Sequence, residues 1–407
     1  MLPALNRDGL SRIATRMDRY VDNGYLAGYV LSLGVGDDIW LHHHGVQDLD
    51  TGVPMAPDSI FRIASMSKAI LAAAAMLLVD EGALDLDAPV ERLLPEMADR
   101  RVLRTLSSDL DDTVPAKRPI TTRHLLTLTW GLGALFNGLE ETPLAQAMVD
   151  RGVGVGPFLP DLSPDEYMAA IGSLPLAFQP GEGWLYHSGF DVLPILLERL
   201  TGTTLDAWLR TNLFDPLDMT DTGFAVPDAS LSRFTTDYAE EDGRLTVFDP
   251  AQGGRWHHTR GLQGEFVSTA RDFNVFARML LNNGMGPNGQ LLSAAAVAEM
   301  TTDHLTSTIK TEYPFFPGFW ADHGWGYGVG IQTAPPAAPG LAEGTYGWSG
   351  GFNTHWQTDP SRDLVGIFLA QRNLGSPDDA AMIDEFWALT AEALPTLAGK
   401  QGLPAEN

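Results

Sequence analysis

Near the start of the chain, apolar positions recur at helical spacing. Leu10, Ile13, Ala14, Met17 and Val21 fall on one face, which predicts an amphipathic helix over residues 7–22, ended by Gly24. Two β-rich runs follow, 27–35 and 39–46, and Gly36-Asp37-Asp38 between them predicts a hairpin. A short strand over 60–64 leads into Ser65. From there to about residue 219 the period is helical. Segments at 66–81, 121–129, 142–150, 163–171, 188–201 and 204–213 are separated by loops bearing proline and glycine. Beyond about 224 strand texture returns, interrupted by helices at 269–283 and near 293–300. Strands at 354–358 and 364–370 and a last helix over 378–394 complete the pattern.

β-rich ends thus flank a helical middle. The economical architecture is a sheet made from both ends of the chain and covered by the terminal helices, with a helical domain inserted. This divides the 407 residues into a sheet domain, 1–66 with 224–407, and an inserted helical domain, 67–223. A chain of this length buries a sizeable core.

Composition narrows the partners. Fifty-two acidic against 26 basic residues give a net charge of −26, which repels phosphate backbones and anionic lipid, so neither nucleic acid nor a membrane surface is an expected partner. With no cysteine, disulfides, thiolate nucleophiles and iron–sulfur clusters are excluded. His42 and His44 share one face of a strand with no acid in metal-ligand spacing, so the His42–His44 trio reads as a solvated strand face. His257-His258 adds no metal motif, and no metal or cofactor is expected. The longest apolar run, 69–79, is about half a membrane span. Arg7, Asp8, Arg12, Arg16 and Asp18 interrupt any leader-like stretch, so the expectation is a cytoplasmic protein.

The candidate chemistry begins at Ser65-Met66-Ser67-Lys68, where a strand gives way to a helix. Residues three apart on a helix share a face, so the Lys68 amine can reach the Ser65 hydroxyl. A serine becomes an effective nucleophile only when a nearby base takes its proton, and the helix N-terminus favours the negative charge that develops. The spacing alone is a weak signal, since Ser307-Thr308-Ile309-Lys310 repeats it.

Context strengthens it. The stretch from Ile60 to Lys68 resembles the nucleophile region of class C serine β-lactamases, DD-peptidases and family VIII carboxylesterases, as does Asp80-Glu81-Gly82-Ala83-Leu84-Asp85-Leu86-Asp87. Gln179-Pro180-Gly181 precedes Tyr186-His187-Ser188, which resembles the Tyr-x-Asn or Tyr-x-Ser element of these families. The segment from Gly264 to Asp272 resembles another, and Trp348-Ser349-Gly350-Gly351 stands where β-lactamases carry Lys-Thr-Gly. The resemblance runs in one order over roughly residues 8–395. It implies an α+β, β-lactamase/transpeptidase-like fold: an antiparallel sheet from both chain ends, flanked by helices, with an inserted all-helical domain and the active site where the two meet. It implies that Ser65 is acylated while Lys68 and Tyr186 share the general-base and acid work. Ser188 would hydrogen-bond Lys68 or substrate, the backbone N–H groups of Ser65 and Gly351 would form the oxyanion hole, and Trp348, Ser349 and Gly350 would contact substrate.

Gly347-Trp348-Ser349-Gly350-Gly351 also fits the nucleophile elbow of α/β-hydrolases, which requires an acid and then a histidine downstream of the serine. The last histidine is His355 and no acid lies between, so the elbow reading fails. Trp348 cannot supply a cation to the carboxylate of a β-lactam or a peptide terminus, and the Trp-x-Gly pattern resembles family VIII esterases. Aromatic residues in candidate lid segments, Trp130, Phe136, Phe315, Phe316, Phe319, Trp320 and Trp325, suit an apolar substrate pocket. The resulting expectation is hydrolysis of short-chain carboxylic esters. A β-lactamase or a D-amino-acid amidase or peptidase on the same scaffold is the alternative within the class, and a catalytically silent binding module the alternative outside it.

Overall fold

Eight consecutive buried residues, Gly28–Val35, form the strand that joins the two ends of the chain in one sheet. In the computed structural model, which describes residues 6–36, 38–134, 140–156, 160–257, 265–312, 315–335, 340–375 and 381–394, the elements that frame the site are, in order, α1 (Arg7–Asp22), β1 (Gly28–Val35), β2 (Asp38–Gly45), β3 (Phe61–Arg62), α2 (Ser67–Asp80), α3 (Gly189–Thr201), β4 (Val267–Ser268) and α4 (Ala270–Leu281). They continue with β5 (His323–Trp325), β6 (Gly330–Gln332), β7 (Tyr346–Gly350), β8 (Thr354–Asp359), β9 (Leu364–Ala370) and α5 (Ala381–Ala393).

Seven strands make one antiparallel sheet in the order β5-β6-β7-β8-β9-β1-β2. The N-terminal hairpin is therefore zipped onto the C-terminal meander, from Tyr29 opposite Ala370 to Val35 opposite Leu364. Alternation sorts the side chains into two layers. Tyr29, Leu31, Leu33, Leu364 and Phe368 face a cluster completed by Leu10, Ile13 and Met17 of α1 and by Phe386 and Trp387 of α5. Val30, Val365, Ile367 and Leu369 face the main core with α2 and α4. The Asn6 side chain caps α1 by accepting from the Asp8 N–H.

The apolar run after Ser65 becomes α2, every residue of which from Ser67 to Leu78 is buried. A helix apolar on all sides belongs inside a core, and this one lies in the main core between the helices Gly189–Thr201 and Ala294–Met300. Among the described residues no helix is long and apolar enough to cross a membrane.

Several elements depart from the sequence reading. The strand expected over 60–64 is only Phe61–Arg62, because Ala64 turns the chain with φ +44°. The helix expected over 121–129 is Thr122–Leu126, stopped before Leu128 at φ +58°. Segment 67–223 also carries a small hairpin, Arg101–Leu103 against Thr113–Pro115. His42 and His44 are on a partly solvated face that also meets α1, with His42 Nε2 2.8 Å from Asp18 Oδ1 and His44 Nε2 3.1 Å from Asp22 Oδ1. Asp37, Phe136, His258, Gly264 and the first residues of the last expected helix lie outside the described residues.

Candidate active site

The turn carrying Ser65 is fastened from three sides. Ser65 sits in the 3-10 turn Ala64–Met66, whose entry through Ala64 lies in the left-handed region that a residue with a Cβ rarely adopts. The Ile63 N–H donates to the Phe266 carbonyl at 3.0 Å, the Phe266 N–H donates to Ser67 Oγ at 2.8 Å, and Thr354 Oγ1 donates to the Ile63 carbonyl at 3.2 Å. β7 lies directly on this turn: a Cβ added to Gly350 would stand 2.5 Å from the Ile63 carbonyl, so only glycine fits there. A Cβ on the next residue, Gly351, would meet nothing within 4 Å.

Within this frame Lys68 Nζ donates to Ser65 Oγ at 2.8 Å, both side chains being almost wholly buried. The same ammonium nitrogen stands 4.8 Å from the centre of the Tyr186 ring. Tyr186 is brought there by backbone pairing with a glycine-bearing loop. The Ala134 N–H donates to the Tyr186 carbonyl at 2.8 Å, and a Cβ on Gly133 would come within 2.5 Å of that carbonyl. Trp348 Nε1 donates to the Tyr186 hydroxyl at 2.6 Å, so the residue standing in place of a lysine acts on the phenol rather than presenting a cation. Ser65, Lys68, Tyr186 and Trp348 therefore meet at one place.

Of the other sequence candidates, some lie away from this place and some border it. Ser188 is fully buried and its hydroxyl donates to the Leu132 carbonyl at 2.8 Å, so it bonds neither Lys68 nor the cleft; it ties the Tyr186 loop to the preceding segment. Ser349 is mid-strand in β7, opposite His355 of β8. The buried His355 imidazole takes the Trp387 N–H on Nδ1, and burial lowers its pKa to about 3, so it offers Ser349 no base. Ser307 and Lys310, the spacing's second occurrence, are separate: Lys310 pairs with Asp303 at 2.5 Å. Trp130 and Trp325 are core residues with no exposure, not lid residues, although the Trp325 ring packs 4.7 Å from that of Trp348. Phe315 and Phe319, half-buried, flank Tyr186 and Trp348, with ring centres 5.3 Å (Phe315 to Tyr186) and 6.3 Å (Phe319 to Trp348) apart.

Behind the lysine lies a polar cluster that sequence reasoning missed. Asp191, on the first turn of α3, accepts from Tyr167 Oη at 3.1 Å, and His187 Nε2 stands 3.4 Å away. Burial pushes the Asp191 carboxyl up, but His187, Lys68 and the hydrogen bonds outweigh it and hold it below the ordinary carboxylate range. His187 holds φ +84°, a strained conformation for a residue that is not glycine. The four-residue interval from His187 to Asp191 was a usable signal; buried Glu265 had none. Among the described residues no group of three or more histidines and acids could hold a metal ion.

A serine held against a lysine one turn along, beneath an antiparallel sheet of this order, defines a serine hydrolase of β-lactamase/transpeptidase-like fold. Residues 13–390 match the Beta-lactamase family, and the chain belongs to that family. It is 36% identical to an uncharacterized protein of Mycobacterium tuberculosis, over 88% of this chain and 89% of the relative. It is 30% identical to esterase EstB of Burkholderia gladioli, over 92% and 95%. The solved structure of EstCE1, described as a hydrolase with promiscuous acyltransferase activity, shares the fold with a TM-score of 0.76 at 23% identity, over 95% of this chain and 98% of that one.

Proposed function

We propose that the protein hydrolyses neutral, short-chain carboxylic esters through an acyl-enzyme on Ser65, at the junction of the sheet with the inserted segment. The observation that carries this reading is the Lys68–Ser65 contact beneath a tyrosine whose hydroxyl is held by an indole N–H. Ser65 Oγ attacks the ester carbonyl carbon while its proton passes to the Lys68–Tyr186 pair. The carbonyl π pair moves onto oxygen, where the Ser65 and Gly351 amides would receive it. When the tetrahedral adduct collapses, the C–O bond to the alcohol breaks and the alkoxide takes the proton back through Tyr186. Water then repeats the sequence on the acyl-enzyme, and carboxylic acid leaves. The Trp348 N–H stabilises negative charge on the Tyr186 oxygen, the work a neighbouring cation does in other sites.

Substrate class follows from what surrounds these atoms. Trp348 offers no cation to a substrate carboxylate, and half-buried aromatic rings border the phenol, which favours neutral esters with small apolar acyl groups. Similarity to a protein named esterase EstB supports ester over lactam.

The test compares two serines. Ser65→Ala is expected to abolish turnover of a p-nitrophenyl butyrate-type ester, whereas Ser349→Ala keeps much of it. Equal loss in both, or loss only at 349, overturns the assignment. Cephalosporin turnover well above ester turnover would move the protein to β-lactam chemistry.

A further inference from the structure

Glu265 begins the segment that clamps the nucleophile turn. Its neighbour Phe266 bonds both Ile63 and Ser67, so Glu265 is held against the turn that carries Ser65 and Lys68. The side chain is 7% exposed, and its Oε2 is buried with no hydrogen-bond partner. Burying an ion without a partner costs several kcal/mol, and an unsatisfied carboxylate in a native site needs a reason to be there.

The charged groups acting on it come from three elements. Lys68 of α2, His187 of the loop before α3, and Asp191 of α3 act on it through their charges, and Tyr167 is hydrogen-bonded to Asp191. Burial raises the Glu265 carboxyl, His187 and Lys68 oppose this in part, and Asp191 adds to it. Asp191, by contrast, is held low by its own hydrogen bonds and neighbours. Two acids of one cluster are thus driven apart, one kept ionised and the other drawn toward neutrality, the pattern that separates proton roles in a site.

We infer that Glu265 is a positioning residue for Lys68, its negative form favouring retention of the lysine proton. This rests on the reading of Ser65 and Lys68 as the reacting pair. Glu265 makes no bond to substrate. It sets the pH at which Lys68 can accept the Ser65 proton. The sign is fixed, because removing a nearby negative charge releases a proton from an ammonium.

The test is the pH dependence of Ser65 labelling by a fluorophosphonate, located by peptide mass spectrometry, together with kcat/KM on the ester. Glu265→Gln, nearly isosteric, is expected to move the acidic limb to lower pH by about one unit and to lower the alkaline plateau severalfold, with KM little changed. Glu265→Asp, which draws the charge back by one methylene, is expected to move the limb the same way by less. A folded Gln variant whose limb superimposes on the wild type overturns the inference. Should Gln not fold, an unmoved limb in the Asp variant overturns it. Wild-type label at a residue other than Ser65 defeats the serine reading itself, whereas label on Ser65 with unmoved limbs defeats only the role of Glu265.

Discussion

At the scale of single residues, the indole of Trp348 does what its ring alone cannot. A hydrogen bond to a charged oxygen contributes about 1.5–3 kcal/mol, so Trp348→Phe, which keeps the aromatic surface and removes the donor, is expected to lower kcat about 10–150-fold with a much smaller change in KM. Steady-state kinetics on the butyrate ester check this, and an undiminished kcat removes the donor from the mechanism. The sequence brought Ser65, Lys68, Tyr186 and Trp348 forward through an ordered set of motifs that resemble one family, and the structure brings the four side chains together. Glu265 and Asp191 were not legible in it. Their chemistry comes from burial and from charges contributed by distant elements, and a carboxylate in a string of letters shows neither.

At the scale of elements, what was legible followed from periodicity sustained over several turns. The first helix was read at 7–22 and observed there; the long buried helix after Ser65 was read at 66–81 and runs Ser67–Asp80. The misreadings cluster where one residue with positive φ breaks a pattern, as Ala64 and Leu128 do, or where a hairpin is too short to alternate, as at Arg101–Leu103. Helix-on-helix packing makes its own test. α1 meets α5 so closely that a Cβ on Gly9 would stand 2.5 Å from the Ala393 Cβ. Gly9→Val is therefore expected to cost about 1–3 kcal/mol in chemical denaturation, the usual range for overpacking, while activity per folded molecule is unchanged because the site lies across the sheet. A variant as stable as the wild type would show that the two helices can part without loss.

For the whole molecule, a buried ionic cluster links the β3 region to the hairpin Asp237–Glu241 with Arg244–Asp249. Arg62 donates to Asp249 Oδ2 through Nε at 2.9 Å, and the neighbouring Asp237 carboxyl is buried beside them. Burial, eased by Arg62 and aggravated by Asp249, raises the Asp237 pKa from 3.8 to about 7. Between those values the folded chain keeps a proton that the unfolded chain has released. The contribution to stability is thus full below 3.8 and is lost as pH rises through about 7. Asp237→Asn is expected to flatten the decline in stability over that window, followed by denaturant titration at several pH values; a decline as steep as in the wild type would assign it to other groups. The fastening of the nucleophile turn has a consequence during synthesis. Ile63 is bonded by Thr354, 291 residues further on. At ribosomal rates of 5–20 residues per second, about 15–60 s separate the emergence of the serine from that of the strand that secures it. Until that strand is made, a nascent chain lacks the Thr354 bond that helps hold the turn carrying Ser65.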